Sequence, residues 1–352
     1  MTRTYVYAII PTRNEVIFDV GGLDGDQDEV HTVLHRELAA VIGPSPLASY
    51  RGLRRDEAVR YLVAHQRVIE GVMRDFPVLP VKFGTVLPDE TWALRALVQR
   101  ESLLRNTLDK LGDRVQVEVV ILWDLEKVFE TIGEEEPIAR LKAQITGRPS
   151  RETEADRIAL GRMVQASLER RRTALRDRLQ TSLQSVALDL IVNPCMNDRM
   201  VANFALLVDK VSREALDRQL DTLDQEFEKR LFFRCVGPLP PYSFATVEVQ
   251  MFSFEELDAA RRQLGLPKAT TSQGIRKAYR RMAFEVHPDY SHDDPEAESR
   301  MAELTRAYEL LSAYAGNHTS EGGDSKEKAC CFDHKTVEDK LLIAIQRQGT
   351  LA

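Results

Sequence analysis

Apolar and polar positions switch between two periods along the first 250 or so residues. Residues 4–10 (TYVYAII) are β-branched and aromatic and are closed by Pro11, which reads as a first strand. Residues 16–20 (VIFDV) give a second, ended by Gly21-Gly22, while residues 30–42 fit strand and helix alike. Over 55–75, Ala58, Val59, Leu62, Val63, Ile69, Val72 and Met73 recur at helical spacing. Residues 78–83 read as a short strand, and Pro80 places it at an edge or a bulge. Residues 90–111 read as a helix and 115–123 (VQVEVVILW) as a strand. From 134 to about 190 the pattern is helical and highly charged. Strands return at 200–208, 231–236 and 242–251, with a helix over 213–229. Strands and helices mix without regular βαβ alternation, which predicts two α+β domains divided near 124–135 rather than a doubly wound sheet.

Beyond Met251 the character changes. Residues 254–314 offer no strand and are helical throughout. Residues 316–328, rich in Gly, Ser, Asp and Lys, read as a linker. Residues 337–346 predict one last amphipathic helix built on Val337, Leu341, Leu342 and Ile345. The expected organisation is a first α+β domain over 1–130, a second over 131–251, an all-α hairpin over 252–315, and a flexible tail with a terminal helix over 316–352.

A length of 352 residues suits two or three domains, and 43% hydrophobic with 29% charged residues excludes a mostly disordered chain. The net charge of -7 excludes a general nucleic-acid binder but leaves room for a local basic patch. No stretch approaches the ~20 uninterrupted apolar residues of a membrane helix. The first apolar run is short, β-rich and followed by Thr12, Arg13 and Asn14, which does not suit a signal peptide. Four cysteines make no disulfide scaffold, so reduced thiols in a cytoplasmic setting are expected.

The strongest motif lies at 275–290 (IRKAYRRMAFEVHPDY). Ile275, Ala278, Tyr279, Met282, Ala283 and Val286 share one helical face, and Arg276, Lys277, Arg280 and Arg281 lie largely on the other. Thr271 or Ser272 can cap this helix, and Pro288 stops it. A second helix runs from Asp294-Pro295 to about Tyr314 and offers Met301, Leu304, Ala307, Tyr308 and Leu311 to the first. This antiparallel hairpin resembles the J domain of DnaJ-type co-chaperones. The resemblance rests on Leu264-Gly265-Leu266, on the basic helix, on His287-Pro288-Asp289, and on AYELLS at 307–312. It implies that the tripeptide stimulates ATP hydrolysis by a DnaK-type chaperone. Asp289 would accept from an arginine of that partner, His287 and Pro288 would shape the loop, and Arg276, Lys277, Arg280 and Arg281 would face its acidic surface. Tyr290 stands where a basic residue is usual, Glu285 where many relatives carry Lys, and Gly274 is a poor helix former.

The first 250 residues resemble the gas vesicle GvpL/GvpF family. The residues behind this are Tyr5-Val6-Tyr7-Ala8, PVLPVKFGT at 77–85, ANFALLV at 202–208 and GPLPPYSF at 237–244. The resemblance implies an accessory or minor structural protein of the gas vesicle. It also implies binding to the major shell protein GvpA, contact with other accessory proteins, a ferredoxin-like second domain with extra helices, and no enzymatic activity. Pro238, Pro240 and Pro241 favour an extended lead-in to a strand over 242–250. Pro240, Pro241, Tyr242 and Phe244 then either present themselves to the shell protein or fix a strand register.

Other signals are weak. Asp24-Gly25-Asp26-Gln27-Asp28 lacks the Gly and Glu of a calcium loop, His31 and His35 lack the Glu of a catalytic zinc helix, and Cys330-Cys331 with His334 lacks a fourth ligand. No cofactor or metal is expected. Arg170-Arg171-Arg172 reads as a solvated helix face, with an acidic partner as the alternative. No Walker loop, GxGxxG or GxSxG occurs. The expectation is therefore a cytoplasmic, gas-vesicle-associated assembly protein whose J-like hairpin recruits a DnaK-type chaperone. The alternatives are a purely structural vesicle protein and a general DnaJ-type co-chaperone with an unusual client-binding domain.

Overall fold

A computed structural model describes residues 3–25, 27–286, 297–319, 330–334, 337 and 341–348. The chain divides into two compact units, residues 1–246 together with 345–352, and residues 247–344.

The first unit opens with β1 (Arg3–Pro11), β2 (Ile17–Phe18), β3 (Val30–His35), β4 (Leu38–Ser45), α1 (Arg55–Val72), β5 (Leu79–Pro80), β6 (Val86–Leu87), α2 (Glu90–Gln99) and α3 (Glu101–Leu111). Its sheet runs β2-β3-β4-β1-β5, with β6 also on β1, and every pairing is antiparallel. The ambiguous residues 30–42 prove to be a hairpin turned at Arg36, whose φ of 56° lies in the left-handed region. In β1 the register shifts between Val6 and Ala8. The bulge reverses side-chain parity, so Tyr5, Tyr7, Ala8 and Ile10 all join the core under α1. Val6, Ile9 and Ile42 are buried outside that core, and α2 and α3 pack on β1, β3, β4 and β5.

α1 buries Tyr61, Ala64, His65, Val68, Ile69 and Val72 and leaves Val59, Leu62 and Val63 exposed. The inward stripe is thus rotated from the one that aliphatic spacing suggested, because Tyr61 and His65 belong to it. The single helix expected over 90–111 breaks at Arg100 (φ -127°) into α2 and α3.

The rest of the unit comprises β7 (Arg114–Trp123), α4 (Leu125–Gly133), α5 (Glu136–Ile145), α6 (Glu154–Gln184), β8 (Asp189–Asn193), β9 (Met200–Asp209), α7 (Arg213–Glu226) and β10 (Leu231–Leu239). The sheet order is β10-β7-β9-β8, antiparallel throughout. Strand, helices, two strands, helix and strand in that order make a ferredoxin-like fold with added helices. Val115, Val117, Val119 and Ile121 of β7 pack with Phe204, Leu206 and Val208 of β9 beneath Leu179, Leu183, Leu216 and Leu223. Arg172 departs from the solvated face expected of its run. Its guanidinium lies 5.8 Å from the Trp123 ring, and its Nε donates to the Met200 carbonyl at 3.1 Å. Arg171 pairs with Glu135 at 2.9 Å.

The rest of the chain comprises β11 (Thr246–Met251), α8 (Phe254–Gln263), β12 (Ala269–Thr270), α9 (Ser272–Val286), α10 (Ala297–Thr319), β13 (Cys330–Cys331) and β14 (Leu341–Gln346), of which Thr246, Ile345 and Gln346 belong to the first unit and the remainder to the second. Three expectations fail here. Residues 254–314 are not helical throughout, since Ala269–Thr270 form the short strand β12. Residues 341–346 are not a terminal helix but a strand paired with β11, because Leu341 and Ile343 alternate inward at the strand period. The segment beyond 316 is not wholly a linker. α10 continues through Thr319, β13 pairs antiparallel with β12, and Cys330, Phe332 and Val337 are buried in the hairpin core. Residues 320–329 lie outside the described residues. No helix among the described residues is long and apolar enough to cross a membrane.

Candidate functional site

α8 is capped by Ser253, whose hydroxyl accepts from the Glu256 amide at 3.3 Å. It ends in a Schellman motif. The Leu266 amide donates to the Arg261 carbonyl and the Gly265 amide to the Arg262 carbonyl, with Gly265 at φ 63°. That is the structural content of Leu264-Gly265-Leu266. Asp258 is held below the usual carboxylate range by its hydrogen bond from Arg261, with Arg262 beside it. Arg261 also donates to the Leu266 carbonyl at 2.6 Å and locks the turn.

α9 starts at the Thr271 cap, whose hydroxyl accepts from the Gly274 amide at 3.2 Å. A Cβ at Gly274 would sit 2.3 Å from the Thr270 hydroxyl, which accounts for a glycine in this first turn. Ile275 and Ala278 are buried, and Tyr279 stacks on Tyr308 of α10 at 4.3 Å between centroids. The Tyr279 and Thr305 hydroxyls meet at 3.2 Å. With that face committed to α10, Arg276, Lys277, Arg280 and Arg281 are all exposed. Phe284 and Glu285 are exposed near the end of the helix. His287, Pro288 and Asp289, like Tyr290, Asp294 and Pro295, lie outside the described residues.

The GPLPPYSF block lies largely inside the first unit. Pro240, Pro241 and Phe244 are buried and Tyr242 is half-buried. Residues 242–244 form a turn rather than the start of a strand, because the Phe244 and Ala245 amides both donate to the Pro241 carbonyl at 3.0 Å. The Ser243 amide donates to Gln116 Oε1 of β7 at 2.8 Å, and Phe244 packs with Ile191, Ala205 and Leu207. Tyr242 joins the core under α1, with its ring 6.4 Å from that of His65. The block therefore ties the two sheets of the first unit together. Pro240, Pro241 and Phe244 are turned inward in the folded unit.

The aromatic nest around His65 has no signature in local spacing, since its members come from β1, α1 and residues 50, 83 and 242. The Tyr5 hydroxyl accepts from the Gly84 amide at 2.9 Å and shares a hydrogen bond with His65 Nδ1 at 3.0 Å. Burial pushes the His65 imidazole down to about 4. A cleft of about 540 Å³ lies beside it, walled by Leu62, Phe83 and Tyr242. His65 is neutral in the folded protein at pH 7, whereas an unfolded histidine protonates near ~6.5. Its contribution to stability is complete above that value and is lost as pH falls towards 4, a gap of about 3 kcal/mol. Urea unfolding at pH 7 and pH 4.5 should show the loss, and His65→Phe should remove most of it. An equally steep loss in the variant would rule out His65 as the cause.

His31 and His35 sit on a strand rather than a helix, each turned to a separate carboxylate, Glu90 at 3.2 Å and Glu101 at 3.0 Å. The Cys330 thiol donates to the Thr270 carbonyl at 3.0 Å, and the His334 ring lies against Phe254. Among the described residues no group of three or more His, Cys, Asp or Glu side chains could hold a metal ion.

The fold thus defines an α+β protein with a ferredoxin-like second half, joined to a J-type helical hairpin. The family model described as gas vesicle synthesis protein GvpL/GvpF matches residues 3–246, and the DnaJ domain model matches residues 262–315. The chain belongs to the gas vesicle GvpL/GvpF family and carries a DnaJ domain. It is 29% identical over 242 residues to gas vesicle protein F of Streptomyces sp. CB03234, covering 68% of this chain and 98% of that one. Gas vesicle protein F of Dolichospermum flosaquae is 25% identical over 248 residues, 69% of this chain and 98% of that one. The hairpin is 45% identical over 49 residues to DnaJ homolog subfamily B member 11 of Pongo abelii, 14% of each chain. The crystal structure of GvpF from Anabaena sp. PCC7120 superposes with a TM-score of 0.59 at 23% identity, covering 69% of this chain and 98% of that one, a likeness of fold.

Proposed function

We propose that this protein binds the major gas vesicle shell protein and assists vesicle assembly in the cytoplasm, while its J-type hairpin recruits a DnaK-type chaperone to the same client. It acts by binding rather than by catalysis. The observation that carries this reading is the joining, in one chain, of a GvpL/GvpF match over 3–246 and a DnaJ match over 262–315. A shell subunit with an apolar face aggregates unless covered before assembly. Tethering the client-binding part to the recruiting part raises the effective concentration of chaperone near client to the millimolar range, of order mM for short linkers. The exposed stripe of Val59, Leu62 and Val63 on α1 supports a sticky client, and the exposed basic face of α9 supports an acidic partner.

A pull-down tests this directly. Full-length protein should retain both the purified shell protein and a DnaK-type chaperone with ATP. A chain ending at residue 251 should keep the shell protein and lose the chaperone. Equal retention of unrelated unfolded proteins would instead favour a general co-chaperone. Normal vesicles made with the shortened chain would favour a purely structural role.

A further inference from the structure

The family match ends at residue 246, yet residues 345–348 are part of the same compact unit. Their anchorage is specific. Arg347 donates to both oxygens of the Asp189 carboxylate, at 2.5 and 2.9 Å. Its guanidinium lies 5.7 Å from the centroid of the Phe244 ring. The Gln348 amide donates to the Ser243 carbonyl at 2.8 Å, and the Ser243 hydroxyl donates to Gln348 Oε1 at 3.0 Å. Asp189, Ser243 and Phe244 all lie within the family match, and Arg347 and Gln348 lie outside it. The family portion thus carries a formed receptor for a segment that it does not itself contain.

We propose that Asp189, Ser243 and Phe244 form a docking site for an arginine-bearing segment of a partner protein, and that residues 346–348 of this chain occupy that site in cis. The chemistry is that of peptide recognition. A carboxylate takes a guanidinium through two parallel hydrogen bonds, which selects arginine over lysine. An aromatic ring stacks against the same group. A backbone carbonyl takes the amide of the following residue, which fixes the direction and register of the bound chain. The receptor is held rigid beforehand, since Ser243 and Phe244 are fixed by Gln116 and Pro241. Space for a longer segment exists alongside, where Arg347 and Gln348 face Leu62, Phe83 and Tyr242 across the cleft of about 540 Å³. A cis occupant acts at an effective concentration of about 1 mM, so a partner gains the site only by competing with it. The site is independent of the chaperone-recruiting surface on α9.

The test uses the full chain and a fluorescein-labelled peptide of residues 343–348 (IAIQRQ). Arg347→Ala vacates the site, and the peptide should then bind about tenfold more tightly than to the wild type, as expected for removing a competitor near 1 mM with a dissociation constant near 0.1 mM. Adding Asp189→Asn should abolish that gain, and a peptide with alanine in place of its arginine should not bind either chain. Gln348→Pro, which deletes the amide donor, serves as a second vacating variant should Arg347→Ala unfold. Equal peptide binding by wild-type and vacated chains, or equal binding of the alanine peptide, would overturn the proposal. In the wild type the Gln348 amide should be protected from hydrogen exchange, and free exchange there would equally refute occupation in cis.

Discussion

Asp289→Ala should reduce stimulation of a DnaK-type ATPase at least about thirtyfold, the lower end of the ~2–5 kcal/mol lost when one partner of a hydrogen-bonded interfacial charge pair is truncated. In sequence Asp289 lies three residues beyond the end of α9, whose inward face is fixed on α10 through Ile275, Ala278 and the stacked pair of Tyr279 and Tyr308. The variant should therefore fold as the wild type does, and its circular dichroism and melting should be unchanged. Single-turnover ATP hydrolysis by the chaperone, with and without the protein, measures the effect. Stimulation equal to that of the wild type would remove the recruiting role from the tripeptide.

Charge reversal of Arg276, Arg280 and Arg281 to Glu should act differently. These side chains are exposed, so they should govern encounter more than the bound state. Their contribution should fade as the screening length falls from about 30 Å at 0.01 M salt to about 3 Å at 1 M. A loss of stimulation that persists undiminished at high salt would instead mean that these arginines are desolvated in the complex. The four cations of α9 stand against a net charge of -7 for the whole chain, so the basic face is a local feature set by one helix.

Local periodicity carried the individual elements of the second sheet and the hairpin, because there the buried residues are aliphatic and recur at an undisturbed period, whereas the ferredoxin-like grouping was what the family resemblance implied and the division expected near 124–135 left β7 on the wrong side of it. β7 alternates Val115, Val117, Val119 and Ile121 inward without a break, and α9 repeats Ile275, Ala278 and Met282. The same reasoning misplaced the buried stripe of α1, where Tyr61 and His65 face the core, and it could not see the bulge in β1 that puts both Tyr7 and Ala8 on one side. Neither depends on local spacing. Both answer to the partners across the sheet. The proline-rich block was legible as a motif but not as a location, since its burial depends on Gln116 and on Gln348, 127 and 105 residues from Ser243. The Arg347 anchor left no local signal, because a lone arginine in a polar context acquires meaning only from Asp189, 158 residues away.

Phe332→Ala should destabilise the second unit by about 3–5 kcal/mol, the usual cost of emptying a buried aromatic site. Phe332 is 1% exposed and its ring lies 5.4 Å from that of Tyr314, which is itself buried against Phe252. The surrounding backbone is tied down as well. The Phe332 amide donates to the Lys268 carbonyl at 2.8 Å, and the Tyr314 hydroxyl to the Cys331 carbonyl at 2.7 Å. A unit of about 100 residues has a stability of order 5–15 kcal/mol, so the substitution removes a large share of it. In calorimetry the transition of the second unit should fall by at least about 10 °C while that of the first stays in place. No shift would mean that residues 330–337 are a loose tail after all. The consequence reaches function, because the DnaJ match ends at residue 315 and invites truncation there. A chain cut at that point loses Phe332 and Val337 from the hairpin core, and its failure to stimulate a chaperone would report a collapsed support for α9 rather than any partner contact made by the tail. Phe332→Leu, which refills most of the volume, should restore both melting and stimulation together.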